Sequence, residues 1–185
     1  DRGNHMIWQL DPAGAVTAFA GSGERGFGGD GGQATAAKLA DPRDVCVGTD
    51  GKVYIADFGN GRVRVVLPDG IIATAVGSGQ ALSWENIILA WHASIRPRAV
   101  TLDLSGELLI ADLLQPRILR LRADGMVLTE LTLPDHAEPT ALDVGPEGGL
   151  LIADRKNHMV RVVRRDGRID AVAGTGTPGA GVDDE

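Results

Sequence analysis

Three aspartates are the first candidates for chemistry. Asp57, Asp112 and Asp154 each close the tripeptide Ile-Ala-Asp, which begins at Ile55, Ile110 and Ile152. A carboxylate at the end of an apolar run can act as a general acid or base in a cleft. It can equally accept hydrogen bonds from backbone N–H groups of the following turn, or pair with Arg62 or Arg117 five residues on. The context recurs three times, which favours the structural role for Asp57, Asp112, Asp154, Arg62 and Arg117. The histidines are His5, His92, His136 and His158. Imidazoles brought together could bind zinc, but no HExxH or close HxH spacing supports this, and no cofactor or metal is implied. No GxSxG elbow points to a hydrolase. Cys46 is the sole cysteine, so no internal disulfide can form, and its place in an apolar run suggests a small buried residue.

Two glycine motifs also suggest chemistry. Gly21-Ser22-Gly23-Glu24-Arg25-Gly26 fits the GxGxxG pattern that cradles a pyrophosphate at a helix start. The same pattern returns as Gly174 to Gly179 at the equivalent point of a repeat, so it is architectural. Gly28-Gly29-Asp30-Gly31-Gly32 offers one carboxylate among glycines, too few ligands for calcium. Arg62, Arg64, Arg117, Arg120, Arg122, Arg161, Arg164 and Arg165 alternate with apolar residues, which suits packing more than phosphate binding. A net charge of −7 also disfavours a broad nucleic-acid surface.

The elements that must position these residues are short strands. Pro42 to Gly77 holds four apolar runs split by Asp50-Gly51, Gly59-Asn60-Gly61 and Pro68-Asp69-Gly70. Pro97 to Gly125 and Pro139 to Gly167 repeat the pattern, and Asp1 to Gly21 supplies its second half. Asp1, Asp57, Asp112 and Asp154 are each followed thirteen residues later by a glycine. Four strands per unit, at a period near 40, specify an all-β propeller. The expected units are a half blade at 1–21 and full blades at 42–77, 97–133 and 139–174, with an insertion at 79–96. Leu113-Leu114-Gln115-Pro116 replaces the usual Gly and Asn of the second-to-third turn, giving a more apolar loop.

The stretches Ile55-Ala-Asp-Phe-Gly-Asn-Gly-Arg-Val-Arg-Val-Val66 and Asp1-Arg-Gly-Asn-His-Met-Ile-Trp-Gln-Leu10 resemble the core of the NHL repeat. Residues 20–42 resemble the inter-blade loop common in bacterial members. The resemblance covers nearly the whole chain. It implies an NHL-type propeller, part of a six-bladed ring, of which about three and a half blades are present. It also implies a binding or scaffold module for a protein or peptide. The alternatives in the wider group are metal-dependent lyases or lactonases, or the sensor domain of a larger receptor. Within the family His5 and His158 fall on the repeat histidine.

The 79–96 segment is the most individual. Trp84, Ile87, Ile88 and Trp91 have the spacing of one helix face, with Ser83 as N-cap. Trp84 and Trp91 are therefore either docked on the propeller or anchors for a partner. Turns between second and third strands lie on the same side of the disc as the crossings between blades. This face should carry His5, His92, His136 and His158 and the ligand surface. In the half blade Ile7, Leu10 and Val16 should face neighbouring blades. No apolar run is long enough to span a bilayer; an extracytoplasmic setting is favoured. A six-bladed ring needs about 240–280 residues, so completion by more of the same chain or by another chain is expected.

Overall fold

Ile-Ala-Asp sets the packing because its side chains alternate across the sheet. The computed structural model describes residues 1–80, 87–134 and 136–178. One blade is β3 (Pro42–Val47), β4 (Val53–Asp57), β5 (Arg62–Val66) and β6 (Ile72–Val76). It follows a two-stranded half blade of β1 (Ile7–Leu10) and β2 (Val16–Ala20). The second full blade is β8 (Pro97–Leu102), β9 (Leu108–Asp112), β10 (Arg117–Leu121) and β11 (Met126–Thr132). The third is β12 (Pro139–Val144), β13 (Leu150–Asp154), β14 (Met159–Val163) and β15 (Ile169–Ala173). All pairings within the sheets are antiparallel.

Each isoleucine of the tripeptide faces the preceding blade, and Ala56 and Ala111 face the following one. Ile55 packs with Ala20, Leu39 and Ile72 against the half blade. Ala56 lies in the next core with Val63, Val76, Ile110 and Leu119. Ala111 repeats the step, packing with Ile118, Leu150 and Ile152. A small side chain on one face lets the neighbouring blade bring its branched residue close. Leu10 and Val16 depart from expectation: they are exposed, because no described strand lies against that part of the half blade.

The 79–96 segment corrects the helix reading. Ile87–Leu89 form a strand, β7, pairing with Met126–Leu128 as a fifth strand on the outer edge of the second full blade. A short apolar run fits either period, and an open edge with unpaired N–H and C=O groups favours the extended form. Residues 31–34 do the same for the first full blade: Gly31 donates to the Ile72 carbonyl, and Ile72 N–H to that of Gly32. Each crossing then makes one 3₁₀ turn, Ala34–Ala36 or Ala90–His92. The Gly21 and Ser22 N–H groups donate to the Ala34 and Ala37 carbonyls; Gly77 and Ser78 donate to those of Ala90 and Ala93. Gly77 sits at φ 109°, where a Cβ would lie 3.0 Å from Arg62 Cα, so only glycine passes. Trp91 takes the place of Thr35 on this turn and is 58% exposed. Ser83 and Trp84 lie outside the described residues.

Trp91→Ser should therefore shift stability by no more than about 0.5 kcal/mol, the range for surface positions. Ile110→Ala, in the middle of a core, should cost about 3 kcal/mol. Denaturant titration of both variants checks the assignment; a large loss from Trp91→Ser would mean that the ring is docked.

Candidate functional site: the crossing face

Each repeat aspartate bolts its blade to the incoming crossing. Asp57 Oδ1 accepts the Ala40 N–H at 2.7 Å, Asp112 Oδ1 that of Arg96 at 2.8 Å, and Asp154 Oδ1 that of Glu138 at 3.0 Å. The same three residues take a bond back through their carbonyls, from the N–H groups of Gly59, Leu113 and Arg155. The crossing is thus held on both sides just ahead of the proline that opens the first strand. Leu114 and Asn157 N–H, in the following turn, add to Asp112 and Asp154.

The second carboxylate oxygen takes side chains. Where asparagine stands three residues on, its amide donates: Asn60 to Asp57 at 2.7 Å and Asn157 to Asp154 at 2.8 Å. The arginine then comes from seven residues on, Arg64 at 3.5 Å and Arg161 at 3.1 Å. The second full blade has Gln115 instead of asparagine, and Arg117, five residues on, pairs with Asp112 at 3.0 Å. Positions five and seven point to the same side of the strand, so either reaches the carboxylate. Arg62 is accordingly not the partner of Asp57. Its guanidinium donates to the Asn60 and Ser78 carbonyls and lies 3.8 Å from the Phe27 ring centroid. Fully buried Arg64 also pairs with Asp30 and donates to Gly28 and Lys38 carbonyls. That ion pair gives the glycine-rich loop its single acid.

Burial pushes Asp57 and Asp112 above the ordinary carboxylate range, despite the backbone and arginine donors that oppose it. Burial acts on Asp154 too, but the bonds from Asn157, Glu138 and Arg161 outweigh it and hold that carboxyl below the range. Burial, with a lesser push from Asp44, drives the Cys46 thiol up to about 12, far from a reactive thiolate.

The histidines occupy turns. His5 and His158 stand four residues after their aspartates, the position of Gly61, and share its left-handed backbone at φ 56° and 50°. His136, in the short crossing after Pro134, is left-handed at φ 68°. His5 Nδ1 accepts the Asp41 N–H at 3.2 Å, tying the half blade to the crossing. His92 packs edge-on against Trp91 with centroids 5.7 Å apart. Among the described residues no three His, Cys, Asp or Glu side chains gather as a metal set.

The same face carries a cleft of ≈ 500 Å³ that sequence reasoning missed. Arg25 from one crossing, Arg96 from the next, and Arg43 beside Pro42 line it with Phe58, Ile95 and Leu114. The guanidinium carbons of Arg43 and Arg96 lie 4.7 Å and 4.9 Å from the Phe58 ring centroid. Asp41 pairs with Arg43 at 2.6 Å and also with Arg2. The signal available was the pairing of arginine with the blade-opening proline, at Arg43 and at Arg96 and Arg98 around Pro97.

Four-stranded blades joined by pinned crossings define a β-propeller of the NHL type. A family model described as the teneurin NHL domain matches residues 4–129, and the chain belongs to that family. Teneurin-m of Drosophila melanogaster is 29% identical over 198 residues, covering 85% of this chain and 7% of that protein. Teneurin-4 of Mus musculus is 30% identical over 174 residues, covering 79% and 6%. The chain thus spans a small fraction of these relatives. Among solved structures, a streptogramin B lyase superposes with a TM-score of 0.65 at 17% identity, covering 92% of this chain and 48% of that one. A putative gluconolactonase gives 0.65 at 18%, covering 94% and 58%. At such identities the likeness is one of fold alone.

Asp57→Ala would leave the Ala40 N–H and Asn60 amide without this acceptor and Arg64 without one of its carboxylates, and should cost roughly 3 kcal/mol. Denaturant titration checks this, and a loss under about 1 kcal/mol would show that the pin is dispensable. Asp154 tests the sign of the pH effect. Its folded carboxyl is the stronger acid, so its stabilisation is complete above about pH 4 and is lost as pH falls through the lowered folded value. The melting-temperature gap between the protein and Asp154→Asn should therefore be widest above about pH 5 and narrow as pH falls below the ordinary carboxylate range. A gap constant across that range would deny the charge any part.

Proposed function

We propose that this segment is a non-catalytic binding module that presents its crossing face to a protein or peptide. The cleft between Arg25, Arg43, Phe58 and Arg96 carries the reading. It is open, it joins apolar and cationic groups, and its walls come from segments held by the aspartate pins. The candidate acids are otherwise engaged: Asp57, Asp112 and Asp154 are buried and accept two or more hydrogen bonds each. No helix among the described residues is long and apolar enough to cross a membrane. Trp91 and His92 lie on the neighbouring 3₁₀ turn, and Trp91 offers a second exposed ring.

Peptides selected from a random display library against the purified chain should protect the backbone amides of Phe58, Gly59 and Arg96 from hydrogen exchange. Phe58→Ser should weaken their binding by about 2 kcal/mol with little change in melting. Protection confined to the outer strands, or stoichiometric divalent metal together with lactone turnover, would overturn the assignment.

A further inference from the structure

The chemistry of the cleft goes further than its location. The chain is net negative at −7, yet the cleft has three guanidinium groups and one carboxylate, Asp41, which is already shared between Arg2 and Arg43. Among the described residues neither Arg25 nor Arg96 has an ion-pair partner, and Arg43 Nε is buried without an acceptor. Arg98, next along the inner strands, has its pKa lowered by burial and by the like charge of Arg43, with Asp44 and Glu138 opposing. Positive charge is therefore concentrated here beyond what local acids neutralise.

Resting on the cleft as the binding site, we infer that its ligand is an acidic peptide segment, whose carboxylates bridge Arg96 and Arg25 while an apolar neighbour meets Phe58 and Leu114. Phe58 holds the Arg43 and Arg96 guanidinium groups in place before any ligand arrives, which lowers the ordering entropy of binding. Planar guanidinium groups match carboxylates with paired hydrogen bonds. Three cations on an apolar floor suit a short peptide better than a polyanion backbone, which needs a long basic track.

Titration calorimetry with three probes tests this: hexaglutamate, a neutral serine–glutamine hexapeptide and inorganic phosphate. Hexaglutamate should bind, more weakly as salt rises, and the neutral peptide should not. Arg25→Ala combined with Arg96→Ala should reduce hexaglutamate affinity at least tenfold with an unchanged melting temperature. Equal affinity in that variant overturns the proposal, as does phosphate displacing hexaglutamate at equal concentration, which would mark a simple anion hole. Should neutral library peptides occupy the cleft as tightly as acidic ones, the ligand class falls while the binding surface stands.

Discussion

A buried carboxylate accepting a backbone N–H from the residue just before, or two before, a proline is the interaction on which the rest depends. Proline has no N–H to give, so the chain entering a blade can be fixed only through the residues ahead of it. Ala40, Arg96 and Glu138 each meet the aspartate through their N–H and the following turn through their carbonyl. An ionised acid in a protein core is costly unless its oxygens are matched. The arginine and asparagine donors supply that matching, and the exchange of Arg117 for Arg64 or Arg161 shows that the charge is kept while its origin moves.

Much of the fold was legible because it is local. Ile-Ala-Asp gave strand, facing and terminus together, and Asp-Gly turns marked the outer hairpins. The NHL assignment rested on the same residues. The 79–96 segment was misread because Ile87, Ile88 and Trp91 satisfy a helical spacing by coincidence. The better cue was Ala34-Thr35-Ala36-Ala37 against Ala90-Trp91-His92-Ala93, in which buried alanines recur at both ends of a 3₁₀ turn. Small residues there let the preceding blade's Gly-Ser amides reach the turn's carbonyls.

The cleft was not legible for a different reason. Arg25, Phe58 and Arg96 are more than thirty residues apart in sequence, and only the fan of blades brings them together. No period in the chain reports such a meeting. The histidines, by contrast, were visible, but their backbone role was not. At His5 and His158 the backbone needs a left-handed residue, and Gly61 serves the same place.

The first two crossings are fixed where they add an edge strand to a blade, where the 3₁₀ turn meets the preceding blade and where the pin meets the following one. Around those points their composition differs: glycine-rich in one, tryptophan-bearing in the other, and only five residues in the third. Changes at exposed positions there leave the inter-blade cores intact, because the residues the crossings lend to those cores are others, such as Leu39 and Ile95. Arg25 stands at such a position, and Arg96 meets its pin through the backbone alone, which leaves the identity of its side chain open. The chemistry of the crossing face can therefore change from one descendant to another while the architecture, held by the pins, stays still.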